Sequence, residues 1–203
     1  MEVNLLTVLI GAPGSGKGTI CSFLGSQYSL LHFSVGDNLR TWMRANRETP
    51  LAARIQEKLD HQGFLTSAEL NPFLGLAIED AVRQDELQGI LIDGFPRCEE
   101  QLVSTKPDVV LSLNVTRENA EARYLARGRD RNDSAVKFER RFAEYLEEGW
   151  PVEQHYREAG KVIQIDSNGT REENIAGVEK ILGESSLWND VVVGQQTESF
   201  FIL

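Results

Sequence analysis

The chain has 203 residues, 41% apolar and 26% charged, the proportions of a soluble globular protein with room for one ordinary domain and short inserted lobes. No window approaches the roughly 18 uninterrupted apolar residues a spanning helix needs, and a formal net charge of −10 argues against nucleic acid or an anionic membrane as partner, because both reward a basic surface. Cys21 and Cys98 belong to no CxxC pair or Cys/His cluster along the sequence, so neither a disulfide framework nor a zinc site is indicated.

In chain order, the apolar run Leu5 to Ile10 reads as a strand. The glycine-rich stretch Gly11-Ala12-Pro13-Gly14-Ser15-Gly16-Lys17-Gly18-Thr19 follows it, and then a helix carrying Ile20, Phe23, Leu24 and Tyr28. Strand, G-x-x-x-x-G-K turn and helix in this order make a phosphate-binding loop. Glycines let backbone N–H groups face phosphate oxygens, the helix N-terminus adds its positive end, and Lys17 brings a full charge to the terminal phosphates. Gly18 stands where many such loops place the Mg²⁺-ligating hydroxyl. The metal is therefore expected on the nucleotide phosphates, helped by the protein through water.

A second strand, Leu31 to Val35, leads into a helix bearing Arg40. Leu51, Ile55 and Leu59 mark a helix behind Pro50. Thr66 and Glu69 form a capping box ahead of the stripe Leu70, Phe73, Leu74, Ala77, Ile78, Ala81 and Val82. A third strand, Ile90 to Ile92, ends on Asp93 and is followed by Arg97 and Gln101. A fourth spans Val109 to Val115 and a fifth Val162 to Ile165. Phe138, Phe142, Tyr145 and Leu146 mark a helix after the arginine-rich region, and Thr170 with Glu173 caps a last helix carrying Ile175, Val178, Ile181 and Leu182. Residues after Gly183 follow no clear period. Strands alternating with helices predict an α/β fold with a five-stranded parallel sheet covered on both faces. Arg40 and Arg97, each just past a strand end, then converge on the sheet edge that holds the glycine-rich loop. Asp93, a carboxylate at the tip of a buried strand, calls for a cation.

Six arginines lie between residues 123 and 141: Arg123, Arg127, Arg129, Arg131, Arg140 and Arg141. In an acidic chain they suit an electrostatic cap over transferring phosphates, which demand positioning, charge neutralisation and exclusion of water.

These motifs together resemble the adenylate kinase family of P-loop nucleoside monophosphate kinases. The family's loop takes the form GKGT found at Lys17 to Thr19 with the preceding glycine. Phe33 to Arg40 is similar to its STGDxLR segment, and Asp93-Gly94-Phe95-Pro96-Arg97 to its DGFPR. The resemblance runs to about Leu182. It implies reversible phosphoryl transfer from ATP to AMP, giving two ADP, with Mg²⁺ as cofactor and Asp93 holding the metal through water. Gly14, Ser15, Gly16, Lys17, Gly18, Thr19, Arg123, Arg127 and Arg171 would serve ATP. Val35, Arg40, Phe64, Leu65, Thr66, Gly94, Phe95, Pro96, Arg97 and Gln101 would serve the monophosphate. Arg131 and Arg141, aligned with the family's lid arginines, would also serve the monophosphate, with Arg129 competing for the place of Arg131. Lys17, Arg97, Arg127, Arg131 and Arg141 form the implied catalytic set.

The same resemblance implies one kinase domain over residues 1–183, with a monophosphate-binding lobe near 36–66 and a short lid near 127–140. That lid lacks the four metal ligands of zinc-bearing relatives, so no zinc is expected. Residues 184–203 extend past the match, as a segment packed on the domain, as disordered chain or as a docking peptide. The start of the chain has no basic segment or cleavage site, and a cytoplasmic monomer is expected. On the acceptor base two positions disagree. Gln101 can donate and accept toward an adenine edge, where the uridylate/cytidylate branch carries asparagine, whereas Val35 replaces the threonine usual in adenylate kinases. A uridylate/cytidylate kinase is the first alternative, and a P-loop binding module without turnover the second.

Overall fold

Short runs of leucine, isoleucine and valine, each ended by a polar residue or glycine, fold as strands. In the computed structural model, which describes residues 5–60, 65–83, 87–102, 106–127 and 134–193, these are β1 (Leu6–Gly11), β2 (Leu30–Ser34), β3 (Gly89–Asp93), β4 (Val109–Asn114) and β5 (Val162–Asp166). They pair in parallel in the order β2-β3-β1-β4-β5, the five-stranded sheet expected. Because crossover helices cover both faces, the central strands are buried on both sides and mostly apolar instead of alternating, with Thr7 and Ser112 as buried polar interruptions. One layer gathers Leu6, Val8, Ile10, Phe33, Ile90, Ile92 and Val110; the other gathers Leu5, Leu9, Leu30, Leu91, Val109, Leu111 and Leu113.

The helices are α1 (Lys17–Gln27), α2 (Val35–Ala45), α3 (Pro50–Asp60), α4 (Ser67–Val82), α5 (Glu99–Leu102), α6 (Arg117–Ala126), α7 (Ala135–Glu144), α8 (Trp150–Glu158), α9 (Arg171–Glu184) and α10 (Ser186–Val193), with a π-helical turn at Tyr145–Gly149 between α7 and α8. Both expected capping boxes form. Glu69 accepts from the Thr66 N–H at 2.8 Å and donates its own N–H to the Thr66 hydroxyl at 3.3 Å. Glu173 and Thr170 repeat the pair at 2.7 and 3.2 Å. In α4, Leu70 and Leu74 enter the core, while the side chains of Ala77, Ile78, Ala81 and Val82 lie outside the described set. In α3, Ala52 and Ile55 face inward and Leu51 is exposed.

Two local expectations are corrected and one helix is added. Val35 does not end the second strand but opens α2, because the Ser34 hydroxyl accepts from the Asp37 N–H and caps the helix. α8 is a helix not anticipated from the sequence; its Pro151 lies in the first turn, where a missing N–H costs nothing. The segment after Gly183 has order too short to show a period: α9 continues to Glu184 and α10 sets Trp188 into the layer under α1. Trp188 is 2% exposed, and its ring meets Tyr28 edge-on at 5.1 Å. Residues 194–203, with Phe200 to Leu203, lie outside the described residues. No helix among those described is long and apolar enough to cross a membrane.

Candidate active site

The turn from β1 into α1 lies at the C-terminal edge of the sheet, beside the central strand. Gly14 takes φ +85°, and a Cβ there would stand 2.0 Å from the Ala120 carbonyl oxygen of α6. Close packing of the loop on α6 therefore demands glycine. Gly16 takes φ +91° with nothing within 4 Å of the position its Cβ would occupy. That open space lies at the start of α1, whose first turn carries no acidic residue and no side-chain cap. The uncapped N–H groups make an anion cradle.

A cavity of about 480 Å³ opens from this cradle, and Gly14, Ser15, Gly16, Lys17, Gly18 and Thr19 all line it. Lys17 folds back so that Nζ donates to the Gly11 and Ala12 carbonyls at 2.6 and 3.0 Å. Its pKa is lowered to about 8, chiefly because burial disfavours the charge; Asp93 opposes this, while Arg97 and Arg141 add to it. An ammonium so placed is a poorly compensated charge awaiting an anion.

Several arginines reach the same cavity from separate elements: Arg40 from α2, Arg97 after β3, Arg123 and Arg127 from the end of α6, Arg141 from α7 and Arg171 from the start of α9. Each is positioned. Arg40 pairs with Asp37 one turn earlier. Arg97 Nε donates to the Gly94 carbonyl at 2.7 Å, and burial together with Arg141 lowers its pKa to about 10. Arg123 reaches across to the carbonyls of Ser167 and Gly169, at 2.6 Å to the latter, tying α6 to the loop that follows β5. The Arg127 guanidinium lies 4.0 Å from the Tyr124 ring centroid, and that of Arg141 lies 5.9 Å from it. Stacking of this kind holds flat cations in place without neutralising them. Arg140 is exposed and does not line the cavity. Arg129 and Arg131, the competing lid residues, lie outside the described residues, as does Phe64.

The residues expected around the acceptor base are placed differently from those around phosphate. Gly94, Pro96 and Arg97 line the cavity, whereas Val35, Leu65, Thr66, Phe95 and Gln101 do not. Val35, Leu65 and Phe95 sit in the core layer, and Thr66 caps α4. Gln101 is 1% exposed; its Oε1 accepts from the Arg97 N–H and its Nε2 donates to the Leu65 carbonyl 36 residues away, both at 2.7 Å. The amide thus fastens the DGFPR turn to the start of α4.

Glu144, Tyr145 and Asn174 also line the cavity, and sequence reasoning missed them as site residues. Glu144 has its carboxyl pKa raised by burial, against the pull of Arg141, Arg140 and Arg97. The available signal was its spacing, one helical turn from Arg140 and Arg141. For a magnesium ion carried by nucleotide, the fit is good: Asp93 lines the cavity with a hard carboxylate donor, and the empty space over Gly16 leaves room for phosphate oxygens beside it. Thr19 adds a hydroxyl to the lining.

Comparison with known proteins agrees with this geometry. Residues 9–161 match the family model described as adenylate kinase. The chain is 33% identical over 189 residues to the protein named adenylate kinase of a Nitratiruptor species, across 87% of this chain and 94% of that one. It is 35% identical over 176 residues to the adenylate kinase of Corynebacterium aurimucosum, across 82% and 92%. It is also 31% identical over 183 residues to UMP-CMP kinase 2 of Oryza sativa subsp. japonica, across 87% and 73%. With the sheet, the anion cradle and the cavity arginines in one arrangement, these matches lead to one statement: the chain belongs to the adenylate kinase family of nucleoside monophosphate kinases.

Proposed function

We propose that the protein transfers the γ-phosphoryl group of ATP reversibly to AMP, giving two ADP and keeping the adenine nucleotides in balance. The observation that carries the reading is one cavity lined by the Gly14–Thr19 cradle together with Arg40, Arg97, Arg123, Arg127, Arg141 and Arg171. Two polyanions brought together need such a concentration of cations. In this reading the cradle and Lys17 take the β- and γ-phosphates, Arg123 and Arg171 flank the ATP base loop, and Arg40 and Arg97 hold the acceptor's α-phosphate in line. Arg127, Arg141 and the lid residue Arg131 stabilise charge on the moving phosphoryl group. Magnesium, when bound with ATP, neutralises and orients the phosphates, with Asp93 holding its water. Val35, Phe64, Leu65, Thr66, Phe95 and Gln101 shape the acceptor lobe. Two lobes, near 36–66 and 127–140, close over the nucleotides and exclude water.

A second reading, uridylate/cytidylate kinase activity on the same scaffold, is favoured by the Gln101 amide being held by the Arg97 N–H and the Leu65 carbonyl. An acceptor panel of AMP, UMP and CMP with ATP and Mg²⁺ separates the two. Turnover should be fastest with AMP; faster turnover of UMP or CMP overturns the AMP assignment. Lys17→Met should lower turnover by about a hundredfold or more with an unchanged circular dichroism spectrum, and near-normal turnover in that variant would sink the mechanism. ATP binding without product from any acceptor would make the protein a P-loop binding module.

A further inference from the structure

Behind Lys17, on the inner side of α1, lies a donor set of a different kind. Cys21 on α1, His32 on β2 and Asp93 at the end of β3 bring a thiol sulfur, an imidazole nitrogen and a carboxylate oxygen all within 4.8 Å of one another. Strand parity explains the meeting. His32 stands two residues after Leu30, and Asp93 two after Leu91; Leu30 and Leu91 belong to the layer under α1 that also holds Cys21. Alternate strand residues share a face, and β2 and β3 pair with His32 opposite Leu91. Three chain segments distant in sequence thus deliver three metal-ligating groups to one point. Cys21 is fully buried, His32 is half-buried, and Asp93 opens onto the nucleotide cavity.

We propose that Cys21, His32 and Asp93 form a binding site for a thiophilic divalent cation of the zinc or cadmium class, and that its occupation inhibits phosphoryl transfer. A sulfur, a nitrogen and an oxygen ligand with the fourth position open is the donor set of a borderline-soft metal, whereas magnesium takes oxygen ligands and keeps its water. In a tetrahedral site with bonds of about 2.0–2.3 Å, ligand atoms lie about 3.3–3.8 Å apart, so the set closes by about 1 Å around the ion. As the sulfur–metal bond forms, the Cys21 S–H proton leaves to solvent; His32 and Asp93 each give a lone pair, and nothing is oxidised or reduced. The inhibition rests on the proposed kinase mechanism: the cation draws Asp93 away from magnesium's water and places positive charge beside Lys17. The binding does not rest on it.

The test uses the full-length protein with Mg²⁺ and no nucleotide, titrated with cadmium to one equivalent while the ultraviolet thiolate-to-cadmium band is followed. The band should appear in the wild type and in Cys98→Ser, and vanish in Cys21→Ser. Losing even an outer-shell partner of a metal costs about 10–100-fold in affinity, so His32→Gln should weaken cadmium binding by about a hundredfold or more. No band in the wild type, or one that follows Cys98 instead of Cys21, overturns the site. Zinc titration of turnover at fixed Mg²⁺ reads the second half, with the half-inhibitory concentration rising in His32→Gln as affinity falls. Cadmium binding with undiminished turnover in zinc overturns the inhibition. A wild type with the band but no turnover with any acceptor fails the kinase reading and leaves the metal site standing.

Discussion

Lys17 lies at the cradle with a pKa lowered by burial, and its protonation can be followed. Its pKa in the nucleotide-free protein is about 8, below the ordinary 10.5. Below pH 8 the fold bears a buried charge at a cost; between 8 and 10.5 the folded lysine is neutral while the unfolded one keeps its proton, so this group's contribution to stability rises with pH across that window. Phosphate binding demands the charged form. ATP affinity should accordingly fall above pH 8, approaching about tenfold for each pH unit, and calorimetry in buffers of different ionisation enthalpy should show proton uptake on binding. Flat affinity from about pH 7 to 10 would contradict this. The glycines differ among themselves in the same testable way. Gly14→Ala meets both a positive φ, worth about 1–3 kcal/mol, and the Ala120 carbonyl, so it should lower the urea midpoint clearly. Gly16→Ala meets only the φ penalty and open space; its main loss should be in ATP binding.

At the scale of elements, legibility followed period and capping chemistry. The Thr66 and Thr170 boxes were readable because a threonine and a glutamate three apart need no tertiary partner to be recognised. The phosphate half of the site was equally plain, since G-x-x-x-x-G-K, DGFPR and the arginine run each carry their chemistry in local spacing. What stayed hidden depends on distance in space: Gln101 bonded to the Leu65 backbone, and the meeting of Cys21 with His32, which no sequence spacing announces. α10 was hidden for another reason, being eight residues long. Its contribution is measurable. Trp188→Ala should cost about 3–5 kcal/mol in equilibrium urea unfolding, and truncation at Gly183 should destabilise at least as much. A truncated chain of wild-type stability would show that the Trp188 contact with Tyr28 contributes nothing.

For the whole molecule, an acidic chain brings a cluster of cations to one cavity. Arg40, Arg97, Arg123, Arg127, Arg141 and Arg171 line it, opposed there by Asp93 and Glu144. Electrostatic attraction of this kind is screened by salt. Raising the salt concentration from about 0.05 to 0.5 M should weaken ATP binding by about tenfold or more, whereas salt-independent affinity would show that the cavity cations remain compensated by the protein itself.

The strand order β2-β3-β1-β4-β5 has a consequence for how such a protein diverges. The proposed acceptor groups follow β2 and β3, on one side of the strand that carries the cradle; Arg123, Arg127 and the loop after β5 follow β4 and β5, on the other. Drift in the segments after β2 and β3 can change the accepted base while the ATP half is inherited intact. The chain is about equally similar to proteins named adenylate kinase and to proteins named UMP-CMP kinase, so the acceptor is to be sought in those two segments and not in overall identity.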